Sequence, residues 1–154
     1  ARPDTRLIFC GTGPLREELI SLARELGVGA SVTFAGLVDN LTVALYYAAA
    51  DLFVLPSQLE ACPTVAVEAL ASGTPVVSSD SPGGVELGRL FGEDVNVVPR
   101  EDVAALASAI VAALARDRRT NPDTDLVLER EFRPATVSAR FSEIYRDVAH
   151  SRRG

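Results

Sequence analysis

Two carboxylates separated by seven residues, Glu60 and Glu68, are the side chains of this sequence best suited to chemistry. They bracket Glu60-Ala61-Cys62-Pro63-Thr64-Val65-Ala66-Val67-Glu68, and the second lies in a run, 63–72, that is otherwise apolar or small. That run is predicted as a helix, with Pro63 suited to the first helical position and Gly73 to the residue just past the end. A carboxylate on such a helix is costly to bury unpaired. Sugar or ribose hydroxyls would pair with it, since each offers an O–H to an acceptor-only carboxylate. The plain alternative is a helix-edge Glu reaching into water. Glu60 favours the ligand reading, because it sits beside the helix N-terminus, where unpaired N–H groups and partial positive charge suit an anion such as a pyrophosphate.

The elements that must position this pair alternate between short apolar runs and amphipathic stretches. Leu7-Ile8-Phe9-Cys10 reads as a buried strand, and 14–26 as a helix with Leu15, Leu19, Leu22 and Leu26 on one face, ended by Gly27. A strand is expected at 31–35, a short helix capped by Asp39 or Asn40 through 49, and a strand at 51–55. After the 63–72 helix come a strand at 75–78, a helix at 82–90, an edge strand at 95–98 and a long helix at 101–116. The polar stretch 120–125 reads as a loop, 126–130 as a turn of helix, and 134–148 as a last helix. On that helix and just before it, Phe132, Phe141, Ile144 and Tyr145 read mostly as core, with an exposed association patch as the alternative.

This alternation implies a Rossmann-like α/β fold, a doubly wound parallel sheet covered on both faces. Ligands of such sheets bind outside the carboxyl ends of the strands. Three loops follow strands there, Gly11-Thr12-Gly13-Pro14, Pro56-Ser57-Gln58-Leu59-Glu60 and Ser79-Asp80-Ser81-Pro82-Gly83-Gly84, and they are expected to converge on one crevice. Gly11 and Gly13 permit a tight turn and close approach to a ligand. No third glycine follows at dinucleotide-fingerprint spacing, so on the residues alone a plain turn and a binding loop stay equally open. Asp80 reads as a cap or turn residue.

Composition narrows the classes. The chain has 154 residues, 47% hydrophobic and 23% charged, an ordinary balance for one globular domain. Its net charge of −6 argues against general nucleic-acid binding. Arg116, Arg118 and Arg119, like Arg152 and Arg153, read as solvated helix ends. Two cysteines, Cys10 and Cys62, make no disulfide framework and read as buried reduced thiols, which suits a cytoplasmic protein. With a single histidine, His150, a His-based metal site or a Ser-His-Asp triad is not expected. No apolar run of about 18 residues is present to span a membrane. The lack of Met and the start at Ala1 suggest a piece of a longer protein.

Further motifs stand in a fixed order around the glutamates: Gly11-Thr12-Gly13-Pro14-Leu15-Arg16, Val32-Thr33-Phe34-Ala35-Gly36, Tyr47-Ala48-Ala49-Ala50-Asp51, Leu55-Pro56-Ser57, Ala71-Ser72-Gly73-Thr74-Pro75-Val76-Val77 and Pro82-Gly83-Gly84-Val85-Glu86. Each alone is common. Together, with the Glu-x7-Glu pair, they resemble retaining GT-B glycosyltransferases of the group 1, glycogen synthase-like type, from about Arg6 to Val148. The resemblance implies the C-terminal, donor-binding half of the GT-B fold, with 1–154 as one domain.

It also implies residue roles. Glu60 would touch the transferred sugar as the catalytic carboxylate, and Glu68 would bind the ribose hydroxyls. Ala61, Cys62, Pro63 and Thr64 would line the sugar and phosphates, Thr64 donating by backbone and hydroxyl, and Pro63 shaping the loop without an N–H. Ala61 and Cys62 depart from the Gly and aromatic frequent in the family, which bears on sugar choice. Gly11, Gly13 and Pro14 would wall the nucleotide and Leu37 would lie near its base. Glu86 is expected to bond a nearby loop. The donor would be a nucleotide sugar, UDP-linked by family frequency, with no cofactor and no metal. The family's cationic Arg and Lys would precede Arg6, and an N-terminal acceptor domain of the same polypeptide would complete the cleft. The chain alone is therefore expected to bind weakly and not to transfer sugar, and the full-length protein could sit at a membrane surface. The alternatives are half of a nucleotide-sugar epimerase and, from another class, a non-catalytic interaction module of the same fold. A receiver-like signalling domain lacks its acidic cluster here.

Overall fold

The computed structural model describes residues 4–116 and 118–151, so the Arg152-Arg153 pair lies outside the described residues. The chain divides into two compact units, Ala1–Ala49 and Ala50–Gly154.

The first unit holds β1 (Leu7–Cys10), α1 (Arg16–Glu25), β2 (Val32–Gly36) and α2 (Asn40–Ala49). β1 and β2 pair in parallel, Leu7 opposite Val32, and an irregularity after Phe9 sets Cys10 opposite Gly36. The Phe9 and Phe34 rings stack at 5.1 Å. Asp39 caps α2 as expected, its Oδ1 accepting the Thr42 N–H at 2.9 Å and its Oδ2 the Thr42 hydroxyl at 2.8 Å. α1 starts later than predicted, after a turn at Pro14 and Leu15.

Two expectations for this unit are corrected. β1 is exposed along its whole length, and Leu15, Leu19, Leu22 and Leu26 of the α1 region are exposed too. A parallel strand is buried when neighbours flank both edges and helices cover both faces. Here β1 has one hydrogen-bonded neighbour, and Ala23 and Tyr47 are the unit's buried hydrophobic residues among those described. Cys10 and Cys62 are likewise exposed rather than buried, although partial shielding pushes the Cys10 thiol pKa up, away from the reactive thiolate.

The second unit runs β3 (Phe53–Leu55), α3 (Thr64–Ala71), β4 (Val76–Ser79), α4 (Pro82–Phe91), β5 (Val95–Val98), α5 (Val103–Arg116), α6 (Asp123–Glu131) and α7 (Pro134–Ser151). Its three strands are parallel in the order β3-β4-β5, with Val76 opposite both Phe53 and Val95. Every residue of the central strand β4 is buried. α5 covers one face, where Val77, Val98 and Ala109 form a cluster with Leu106 and Ala113 around it. α4 covers the other so closely that a Cβ on Gly88 would come within 2.7 Å of Val97 Cγ2. Helices on both faces of parallel strands bear out the α/β architecture, with the hydrogen-bonded pairing divided into a two-stranded and a three-stranded sheet.

Of the basic cluster at and after the end of α5, Arg116 and Arg119 are exposed as expected, while Arg118 and Arg119 also bond into the fold. Asp94 is buried, and it accepts bonds from the Asn121 N–H (2.7 Å), Asn121 Nδ2 (3.2 Å) and the Thr124 hydroxyl (2.6 Å), while Arg118 pairs with it at 3.1 Å. A buried carboxylate is tolerated when so many partners meet it. Arg119 donates to the carbonyls of Ala50 (2.8 Å) and Ser72 (2.6 Å) and to the Thr74 hydroxyl (3.1 Å). In the C-terminal region Phe132 packs as expected, stacking on Phe91 at 5.8 Å. Phe141, Ile144 and Tyr145 instead lie exposed on α7.

Candidate functional site

The carboxyl ends of β3, β4 and β5 carry the segment with the Glu pair. α3 begins one residue later than the sequence suggests, with Pro63 as the cap residue and Thr64 first in the helix. Its far end follows the prediction. Gly73 takes φ +79, and the N–H groups of Gly73 and Thr74 return to the carbonyls of Leu70 and Ala69, both at 2.9 Å. These two bonds form a Schellman motif, whose left-handed residue glycine accommodates without a Cβ penalty.

Glu60 is half-buried in the loop before α3, and Glu68 is exposed on its second turn, about 6 Å along the axis from Thr64 at 1.5 Å per residue. Burial therefore does not force a partner on Glu68. Pro63 is buried, whereas Ala61, Cys62 and Thr64 are exposed. The N–H inventory changes one assignment. The Thr64 N–H already donates to the Cys62 carbonyl at 2.9 Å, and the Ala66 N–H to the Pro63 carbonyl at 3.0 Å. The free amide in the first turn is that of Val65, a residue the side-chain pattern gave no reason to select. At α4 the count is different. Pro82 has no N–H, Gly83 donates to the Glu60 carbonyl (2.7 Å), Gly84 to Ser81 Oγ (3.2 Å) and Val85 to the Ser81 carbonyl (2.9 Å). Between α3, which carries the Glu pair, and α4, which docks on its loop, α3 is thus the one that offers an amide to an anion.

Gly83 explains how the Glu60 loop is held. A Cβ there would sit 2.6 Å from Pro63 Cδ and 3.0 Å from the carbonyl oxygens of Glu60 and Ala61. Only a bare α-carbon lets α4 dock on the loop and make the Gly83–Glu60 bond. The Ser79 hydroxyl also donates to the Ser57 carbonyl. Two of the three strand-end loops are thereby joined. Ser81, not Asp80, caps α4. Asp80 faces Arg100, whose backbone N–H and Nε both reach its Oδ1 at 2.9 Å. The Arg100 N–H first, and its guanidinium after it, hold the Asp80 carboxyl below the usual aspartate range. Glu86 is exposed and makes no side-chain bond, contrary to the role expected of it.

The third loop, with Gly11, Gly13 and Pro14, belongs to the first unit. There the Gly11 N–H donates to the Gly36 carbonyl at 2.7 Å, setting the turn beside Leu37, which is 82% exposed. All of Gly11, Gly13 and Pro14 are exposed. The unit's depression of about 590 Å³ is lined by Arg16, Ala23, Gly27 and Phe34 among others, and by none of the predicted site residues. Among the described residues no group of three or more His, Cys, Asp or Glu is placed to hold a metal ion. No described helix is long and apolar enough to cross a membrane.

Comparison with known proteins agrees with this architecture. The family model of glycosyl transferases group 1 matches residues 1–124. The GDP-mannose-dependent alpha-(1-6)-phosphatidylinositol monomannoside mannosyltransferase of Mycolicibacterium smegmatis is 36% identical over 124 residues, 76% of this chain and 32% of that protein. The solved sucrose-phosphate synthase of Thermosynechococcus elongatus superposes with a TM-score of 0.82 at 31% identity, over 97% of this chain and 40% of that one. Anabaena Alr3699/HepE, solved with UDP-glucose, shares the fold with a TM-score of 0.81 at 23% identity, over 96% of this chain and 42% of its own. The fold is the parallel α/β fold of GT-B glycosyltransferases. The chain belongs to the group 1 glycosyltransferase family, and it spans between 22% and 35% of the length of the first curated relatives it matches.

Proposed function

We propose that this chain is the donor-binding domain of a retaining glycosyltransferase and takes a nucleoside diphosphate sugar. The observation that carries the reading is the free Val65 amide at the start of α3, with half-buried Glu60 beside it and Glu68 one turn further on. In retaining transfer the sugar passes through an oxocarbenium-like state while negative charge grows on the departing diphosphate. Fixed N–H dipoles stabilise such charge without having to reorganise. The Val65 amide, with those of Ala61 and Cys62, is suited to that work, and the positive end of α3 adds to it. Glu60 contacts the transferred sugar, and Glu68 accepts from the ribose hydroxyls. Pro63 and Thr64 shape the loop between them. Gly11, Gly13, Pro14 and Leu37 are retained as nucleotide contacts on the strength of the family resemblance.

The proposal gives no part to a divalent metal. UDP is the favoured nucleotide, in keeping with the UDP-glucose held by a protein of the same fold, and GDP is the alternative used by the mannosyltransferase relative. Transfer belongs to the whole protein, with the acceptor bound by a further domain, so this chain alone binds donor without turnover. Calorimetric titration with UDP, GDP and ADP, beside Glu68→Ala, tests the reading. Binding of one nucleotide that weakens about tenfold in the variant, the scale of a lost charge-assisted bond, supports it. Absence of binding by all three overturns the donor role for this chain, and sugar transfer by the chain alone overturns the division of labour.

A further inference from the structure

The segment after β5 carries a feature that the Glu-pair reading leaves unused. Arg100 donates twice to Asp80 Oδ1, and its Nη1 donates to the Gln58 carbonyl at 3.1 Å. The next residue, Glu101, accepts from Gln58 Nε2 at 3.0 Å and holds φ +62, the only left-handed non-glycine backbone among the described residues. Asp102 then caps α5 by accepting the Ala105 N–H at 2.8 Å. A residue stays in such a conformation when its surroundings over-determine it, and such residues gather at functional sites. The corner at 100–102 therefore has a fixed shape, and from it two bonds reach Gln58.

Gln58 stands two residues before Glu60, whose own carbonyl is held by Gly83. The loop bearing Glu60 is thus fastened on one side by α4 and on the other by Arg100 and Glu101. The Arg100–Asp80 pair is about half exposed. Exposed pairs contribute little to global stability, so the consequence of this arrangement is geometric rather than a large share of folding energy.

We propose that Arg100 is a positioning residue of the donor site: through Asp80 and Gln58 it holds the 56–63 loop, and with it Glu60, against the start of α4. The inference rests on the reading of Glu60 as the sugar-contacting carboxylate. It predicts a larger effect on the sugar part of the donor than on the nucleotide part, because Glu68 and Val65 lie on α3, outside the clamp, and of the diphosphate contacts the amides of Ala61 and Cys62 lie within it.

The test compares Arg100→Ala and Arg100→Lys with the unaltered chain. Lys retains a charge beside Asp80 but lacks the fork that serves Asp80 and the Gln58 carbonyl together. Three quantities are measured: the thermal midpoint, hydrogen exchange of the Gly83 amide against core amides such as Val77, and affinity for UDP against UDP-glucose, with GDP and GDP-mannose in parallel. In Arg100→Ala the Gly83 amide is expected to exchange about tenfold faster with Val77 unchanged. Nucleotide-sugar affinity should fall about tenfold while nucleotide affinity changes less than about threefold, since a displaced contact residue costs binding where it acts. Arg100→Lys should lie between. Unchanged Gly83 exchange, a uniform rise across the core, or equal loss for nucleotide and nucleotide sugar would each overturn the proposal. If the unaltered chain binds neither ligand, the donor reading fails, and the Gly83 exchange ratio alone then decides whether Arg100 holds the loop.

Discussion

β1 and β4 are both four-residue strands in parallel pairs, and the less apolar of the two is the buried one. Leu7-Ile8-Phe9-Cys10 is exposed throughout, while Val76-Val77-Ser78-Ser79 is buried throughout. β4 has β3 and β5 on its edges, α5 on one face and α4 on the other. β1 has β2 on one edge. Burial follows from the number of neighbours, and the apolar character of a strand states only what burial would gain. The second unit consequently owns the core, and it is the unit whose loops are tied into a defined shape.

Core truncation gives the largest test of that contrast. Leu70 is fully buried and Leu7 is 45% exposed. Leu70→Ala should lower the unfolding free energy by about 3 kcal/mol, and Leu7→Ala by less than about 1 kcal/mol. Denaturant melts of the two variants measure this directly, and equal losses would break the distinction between the units. A glycine pair sharpens it at the loops. Gly83→Ala forces a Cβ against Pro63 and two carbonyls, so it should cost about 1–3 kcal/mol and weaken nucleotide-sugar binding. Gly13→Ala meets nothing within 4 Å and should leave the thermal midpoint within experimental error.

The smallest effect concerns pH. Asp39 in the first unit is held below the usual range by the Thr42 N–H and then its hydroxyl, and Asp80 in the second by the Arg100 N–H and then its guanidinium. A depressed folded-state pKa stabilises above the unfolded value, and the contribution is lost as pH falls through the folded one. Both local structures should hold at neutral pH and loosen below the ordinary aspartate value of 3.8. An acid titration following the Thr42 and Arg100 amides by NMR reports each. Asp80→Asn should abolish the Arg100 response and leave that of Thr42 intact. A Thr42 change in that variant would show that the two sites do not titrate independently.

What the sequence made legible is mostly local. Asp39 before α2, Gly73 after α3 and Pro82 opening α4 act through bonds to neighbours a few residues away, and their positions follow from residue type. The strand and helix alternation did the same for the architecture. The Glu pair, with its family resemblance, located the loop that the structure holds between α4 and the corner at 100–102. Arg100, Arg119 and Asp94 were not legible because their partners lie 20 or more residues away, and no spacing rule connects them. Val65 escaped notice because its contribution is a backbone amide, which every residue but proline has. The exposure of β1 and of Phe141, Ile144 and Tyr145 depends on neighbours that a helical or strand period does not describe.

Arg119 gives α3 a mechanical property as well as a covered end. Its guanidinium grips the Ser72 carbonyl at the C-terminal end and the Ala50 carbonyl before β3, while the opposite end carries the free Val65 amide. α3 is thus a short rod held at both tips, by Arg119 at one and by the packing of Gly83 on Pro63 at the other. A ligand drawing on the Val65 end would pull against a beam anchored both beside it and about 12 Å away, the length of eight residues of helix.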